Sequence, residues 1–138
     1  MDNILVKKIY EDNEIIEIEV VANNDYVVIR QSSYVSEEML DDISKKIINY
    51  SKSLANNCYI EIGNKDGKCA PAFSIEFMKP DVRGHILIEM DMEICDNDDR
   101  RHRCKFYVKS ELGLVESFAV NLMSLIKCRI DDAISMNN

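Results

Sequence analysis

The sequence predicts an α+β fold in which a largely antiparallel sheet of six to seven strands carries two amphipathic helices on one face. Apolar and polar residues alternate in several short segments, which is the period of a half-buried strand. Two longer segments repeat apolar residues every three or four positions, as an amphipathic helix does. Because the strands come in blocks, in the order βββαββββα, antiparallel pairing is favoured over a parallel α/β sheet.

The first block of strands is predicted at residues 4–9, 16–22 and 26–31, with short turns rich in Asn and Asp between them. Ser36 and the two glutamates behind it have the composition of a helix N-terminus, a serine cap with acids in the first turn. This helix should end near Asn56. Its buried stripe is predicted to be Leu40, Ile43, Ile47, Tyr50 and Leu54.

The second block begins with strands at residues 58–62 and 72–78 and continues into a long hairpin between Gly84 and Ser110. Ser110 and Glu111 then open the second helix. Its apolar positions recur at helical spacing almost to the end of the chain, as Val115, Phe118, Ala119, Leu122, Ile126, Ile130 and Ala133.

The long hairpin has a register that both of its faces support. Apolar residues fall on even numbers in both strands, so a loop at Asn97–Asp99 keeps each set on its own face. The same register places acid opposite base on the other face, and a five-residue loop would shift the partners but keep acid facing base. The expected pairs are Met90 with Phe106, Ile88 with Val108, Glu93 with Arg103 and Asp91 with Lys105.

If both helices cover one face of the sheet, the uncovered face is acidic and open to solvent. We expect it to carry Glu17, Glu19, Tyr59, Glu61, Glu76, Glu89, Asp91 and Glu93, with a basic row only on the strand Arg103–Lys109. The candidate partner-binding residues are therefore Glu89, Asp91 and Glu93, the hairpin-tip residues Asp98 and Asp99, and Glu17 and Glu19.

Length, charge and cysteine content bound the function. The chain has 138 residues, the size of a single domain spanning 1–138, and a net charge of −8. That charge disfavours binding to nucleic acid or to anionic membranes, because a protein binds both through its Lys and Arg side chains. It suits a basic protein partner. Five scattered cysteines and the absence of a secretory signal pattern lead us to expect a cytoplasmic protein.

No residue constellation predicts a metal, a cofactor or catalysis. Cys95, His102 and Cys104 are zinc-ligand types, but the alternation places His102 and Cys104 inward and Cys95 outward. Asp96–Asp99 is similar to the opening of a calcium loop and lacks the glycine and glutamate that such a loop requires further on. The two histidines lie in no familiar catalytic motif. We therefore expect a protein that is not an enzyme.

The segment from Gly84 to Leu125 contains DNDDRRHRCKFYV running into SELGLVESFAVNL. It resembles small bacterial α+β proteins, some of which are immunity partners of polymorphic or contact-dependent toxins. The resemblance covers under a third of the chain and brings no family site residues with it. It implies an acidic, cytoplasmic, non-catalytic protein that masks a basic toxin domain.

Three alternatives stay open. One is a small-molecule-binding or regulatory domain with a pocket between the sheet and the helices. Another is an enzyme that uses His85 or His102. The third is self-association, as a homodimer or larger assembly, since Val21, Val28 and Leu87 are expected on the outer face.

Overall fold

The computed structural model describes residues 1–53, 56–63, 72–97 and 100–137, apart from the side chains of 95–97 and 101. A short 3-10 turn, Leu125–Lys127, follows the second helix. The elements are β1 (Asn3–Glu11), β2 (Ile16–Asn23), β3 (Val28–Val35), α1 (Glu37–Ser53), β4 (Cys58–Ile62), β5 (Ala72–Phe77), β6 (His85–Asn97), β7 (Arg100–Glu111), α2 (Leu112–Ser124) and β8 (Ala133–Ser135).

The α+β class and the antiparallel pairing are confirmed, but the strands form two sheets of four instead of one sheet of six to seven. Sheet A has the order β3-β2-β1-β8 and sheet B the order β4-β5-β6-β7. The outer edge of β7 meets side chains from the ends of sheet A: Asn24 Nδ2 donates to Tyr107 O at 2.9 Å, and Lys109 N donates to Asp2 Oδ2 at 2.9 Å. These bonds give side-chain partners to backbone groups on an edge of sheet B that pairs with no strand of sheet A.

The register predicted for the long hairpin is confirmed. In the β6–β7 pair, Met90 lies opposite Phe106, and Asp91 lies opposite Lys105. Cross-strand neighbours of this kind contribute roughly 0.2–1 kcal/mol each. A register irregularity between Cys95 and Asn97 shortens the connection relative to the expected loop.

The second helix is shorter than its apolar period predicts. α2 ends at Ser124, and the chain turns through Asp131, whose φ is 75°, before β8 pairs with β1. The expectation of helix through Ala133 is therefore wrong. The turn is fixed locally, because Arg129 N donates to Asp132 Oδ2 at 3.0 Å, and a non-glycine residue at positive φ does not continue a helix.

A buried lysine joins β1 to the end of the second helix. Lys8 is fully buried, and its Nζ donates to the carbonyls of Leu125 (3.1 Å), Ile126 (3.1 Å) and Cys128 (2.9 Å). The same Nζ lies 2.5 Å from Glu11 Oε2. A cation at the C-terminal end of a helix satisfies carbonyls that have no partner within the helix and meets the negative end of its dipole.

The helices and the inner faces of both sheets form one continuous apolar cluster. α1 and α2 pack against each other, and Ser44 Oγ donates to Ala119 O at 2.6 Å where they meet. α1 also reaches sheet B, where the rings of Tyr50 and Phe77 lie 5.6 Å apart. The outer face of sheet B is therefore the face that points away from this core.

Candidate protein-docking face

A line of four side chains crosses the outer face of sheet B. The strand registers place Tyr59 opposite Glu76, Glu76 opposite Glu89, and Glu89 opposite Tyr107. We call these four residues the acidic row. Each points outward because its sequence neighbours, such as Ile60 on β4, point into the core. Tyr59 and Tyr107 are 43% and 42% exposed, so both ends of the row are open to a partner.

Few basic side chains lie close to the two carboxylates of the acidic row in the described part of the chain. Glu89 accepts a hydrogen bond from Tyr107 Oη at 3.0 Å and lies 3.7 Å from Lys105 Nζ. The first of these contacts raises the pKa of Tyr107, because the phenol donates to a carboxylate. Glu76 directly faces Glu89, and within the described part of the chain no salt bridge joins Glu76 to a basic side chain.

Asp91 and Glu93 are not displayed to solvent as the sequence led us to expect. They are 3% and 7% exposed. Asp91 holds the guanidinium of Arg103 in a two-pronged contact, with Nε at 3.0 Å from Oδ1 and Nη2 at 2.8 Å from Oδ2. This contact raises the pKa of Arg103. Strand alternation fixes which face a side chain occupies and leaves open how much of that face is covered. Both acids are therefore buried, and Asp91 is paired with a guanidinium.

The remaining predicted acids lie elsewhere. Glu17 and Glu19 are half-buried on the outer face of sheet A, and Glu19 sits opposite Lys7 on β1. They belong to a different sheet from Glu89, so the two groups do not share one face. Asp98 and Asp99 lie outside the described residues. Of the seven predicted binding residues, only Glu89 belongs to the acidic row. The second carboxylate of the row, Glu76, was not among the seven.

The candidate metal ligands do not come together in the described residues. The register keeps His102, opposite Ile94, on the same face of the sheet as Cys104, as expected, but His102 is exposed there and Cys104 is half-buried. The side chains of Cys95 and of the calcium-like stretch Asp96–Asp99 lie outside the described set. Among the described residues there is no group of three His, Cys, Asp or Glu side chains arranged to hold a metal ion.

The other histidine forms a surface pair. His85 Nδ1 lies 3.2 Å from Asp81 Oδ2, and both side chains are more than half exposed. Asp81 Oδ1 also accepts hydrogen bonds from the backbone N–H groups of Arg83 and His85. These amides, with the His85 one contributing most, lower the pKa of Asp81. The Asp81 carboxylate therefore stabilises the turn that it belongs to.

Sequence reasoning missed a cleft of about 1340 Å³ where the ends of sheet A meet β6, β7 and the start of α2. It is lined from separate parts of the chain, among them Tyr26, Leu87, Tyr107 and Leu114. It does not lie between the sheet and the helices, where a ligand pocket was considered. Only the three-dimensional path of the chain brings these segments together, so periodicity gave no signal for it.

Comparison with other proteins assigns no family to the chain. A scan against protein-family models, a search of curated proteins and a search of solved structures each gave no match. Within the ranges that the structure describes, no helix is both long and apolar enough to cross a membrane.

Proposed function

We propose that this protein is a non-enzymatic, cytoplasmic protein-binding module, most concretely an immunity-type inhibitor that masks a basic bacterial toxin domain. The observation that carries the proposal is the pair Glu76 and Glu89, which face each other across neighbouring strands with a tyrosine at each end. Directly opposed like charges weaken a sheet, so an Arg or Lys from a partner has two carboxylates to neutralise at once.

The flanking tyrosines suit the same role. Tyr and Arg dominate the energetics of protein interfaces, because a tyrosine buries a large rigid surface and keeps a polar end. Tyr59 and Tyr107 already donate hydrogen bonds to Glu61 (2.6 Å) and Glu89 (3.0 Å), which orients their rings on the open face. The net charge of −8 adds a long-range attraction that speeds encounter with a basic protein.

The small-molecule alternative draws support from the cleft. Ligand sites in proteins occupy roughly 300–1,000 Å³ and enclose most of the ligand. The cleft is larger, and several of its lining residues are strongly exposed, Tyr26 at 91% among them. An open, oversized hollow fits a segment of another protein better than an enclosed small molecule, so protein binding is the function that we favour.

The first experiment identifies the partner by co-purification from the native host at low and high salt. Retained proteins are identified by mass. A basic protein that is released by salt is the expected result. A salt-insensitive or acidic partner would count against the proposal, because the attraction argued above is screened by ions.

With the partner in hand, charge reversal tests the acidic row. Glu76→Lys with Glu89→Lys should slow association at low salt by roughly tenfold or more, since steering depends on charge at the contact. The control is Asp42→Lys with Glu116→Lys, which changes the net charge equally at exposed positions on the two helices. Equal slowing in both variants would show that the acidic row acts only through the net charge of the protein and would refute its role as the contact.

A further inference from the structure

Resting on the proposed protein-binding function, we infer that the cleft receives a large apolar side chain from a partner segment whose neighbouring residues are basic. The acidic row and the cleft are continuous, because Tyr107 belongs to both. The partner would thus place an apolar anchor in the cleft and Lys or Arg side chains on the acids around it.

The apolar character of the cleft comes from residues that the fold leaves open. Tyr26 lies in the turn before β3, Leu87 on β6 and Leu114 in the first turn of α2; they are 91%, 42% and 37% exposed. Three elements distant in sequence therefore direct large exposed side chains to one concavity. Apolar surface gathered in this way, rimmed by polar groups, is typical of a protein interaction site.

The charge of the groups that line the cleft indicates that its partner is basic. Four carboxylates line the cleft, those of Asp2, Asp25, Asp81 and Glu111. They outnumber three cations, which are Lys79, Lys109 and the N-terminal ammonium of Met1, 3.7 Å from Asp25 Oδ1. A second copy of this chain would bring the same acidic rim and a net charge of −8 to the contact, which like-charge repulsion disfavours. A basic segment with an apolar anchor is complementary to both features.

The neighbouring strand edge argues for side-chain insertion over strand addition. On the outer edge of β7, Tyr107 O accepts from Asn24, Lys109 N donates to Asp2, and Lys109 O accepts from Asn137 Nδ2 at 2.8 Å. Backbone groups that already have partners offer nothing to an added strand. The occupant therefore binds through its side chains.

Three synthetic peptides of equal length test the inference: one of Leu and Lys in an amphipathic helical pattern, one with Glu replacing each Lys, and one with Ser replacing each Leu. Binding is followed by amide chemical shifts of the isotope-labelled full chain. The Leu/Lys peptide should give saturable shifts at Leu87, Tyr107 and Leu114. The Leu/Glu and Lys/Ser peptides should bind at least tenfold more weakly.

Two variants of α2 provide a matched pair that leaves the charge unchanged. Leu114→Gln removes an apolar wall of the cleft, whereas Val120→Gln alters a residue 56% exposed on the same helix and outside the cleft. We expect roughly tenfold weaker binding of the Leu/Lys peptide for Leu114→Gln and less than twofold change for Val120→Gln.

Equal affinities for the two variants, or shifts confined to β4 and β5, would overturn the inference about the cleft. Such a result would leave the acidic row standing, because charge reversal of Glu76 and Glu89 is measured against the native partner. If the charge reversal instead leaves association with the native partner unchanged while the peptide results are as expected, the acidic row is not a contact and the inference about the cleft stands.

Discussion

Lys8 gives the sharpest prediction about stability. Lys8→Met keeps the length and the apolar stem of the side chain and removes the ammonium group. Three carbonyls at the end of the second helix then lose the ammonium as a donor, and Glu11 loses its ion pair. Leu125 O keeps its 3.2 Å bond from Cys128 N. We expect the free energy of unfolding to fall by about 1.5–3 kcal/mol, the usual net worth of hydrogen bonds to a charged group.

The magnitude follows from the burial of the group. Lys8 is 0% exposed, so water cannot replace the missing donor. A net hydrogen bond to a charged group is worth about 1.5–3 kcal/mol, and a buried carbonyl left without a donor costs about 1–3 kcal/mol. These terms are not additive, and Glu11 is 40% exposed and partly hydrated, which keeps the expected total below their sum.

Equilibrium urea unfolding at neutral pH measures the loss, and Lys7→Met is the matched control. Lys7 lies next in the chain, its side chain is 36% exposed, and its Nζ is 3.9 Å from an Asp131 carboxylate that is 75% exposed. A pair of that kind contributes about 0–1 kcal/mol. If Lys8→Met and Lys7→Met shift the midpoint equally, the buried contact does not stabilise the junction between β1 and the end of the second helix.

Further outcomes can be measured on the same protein. Asp91→Asn should cost about 1–3 kcal/mol in urea unfolding, and far less in an Arg103→Gln background, because the buried carboxylate and the guanidinium that binds it act as a unit. Burial raises the pKa of Tyr50 to about 12, so its contribution to stability, complete below pH 10, is lost as pH rises from 10 to 12; in Tyr50→Phe the tyrosine absorbance titration should lose its latest step. Gln31→Met should raise the midpoint, because both polar atoms of that buried amide lack a partner in the described structure; an unchanged or lower midpoint would contradict this reading. Glu76→Gln should stabilise the fold by about 0.2–1 kcal/mol while weakening partner binding, and a loss of stability would rule out repulsion from the facing carboxylate.

The local pairing of the fold was predictable from the sequence, and the division into two sheets was not. Alternation on both sides of the long hairpin fixed the pairing of Met90 with Phe106, because a slip of one residue would bury acids and expose apolar side chains. Where the two sheets meet, the contacts are single long-range hydrogen bonds, such as that from Asn24 to Tyr107, two residues that are 83 positions apart in sequence. Periodicity carries no information about such contacts.

The end of the second helix shows a different limit. Ile126, Ile130 and Ala133 continue the helical spacing, yet the chain leaves the helix after Ser124. The competing structure is β8, which gains hydrogen bonds to β1, together with a turn built on Asp131 and Asp132. Tertiary pairing therefore overrides a local preference that is correct only for the first part of the segment.

The candidate site was predictable in composition and only partly in position. Alternation correctly placed Glu76, Glu89 and Asp91 on the outer face of sheet B. It treated them as equivalent, although Asp91 is buried beneath its contact with Arg103, and Glu89 is partly open. The cleft could not be predicted, since Tyr26 and Leu114, which both line it, are 88 positions apart in sequence and belong to no common repeating pattern.

Two neighbouring rows on the outer face of sheet B differ in a way that bears on why the acidic row is present: Asp91 lies opposite Ser74, and Glu89, two residues earlier on β6, lies opposite Glu76. Where water is excluded, at Asp91, the sheet supplies a two-pronged guanidinium to neutralise the charge. Where the face is open, Glu76 and Glu89 are opposed, and in the described part of the chain their one salt bridge is that of Glu89 with Lys105. Acidity that served solubility alone would act equally well on a helix surface, as at Glu116, without opposing two like charges inside a sheet. An arrangement that costs stability at one position is instead expected where a partner's cation relieves it, so stability and binding should change in opposite directions when Glu76 is neutralised.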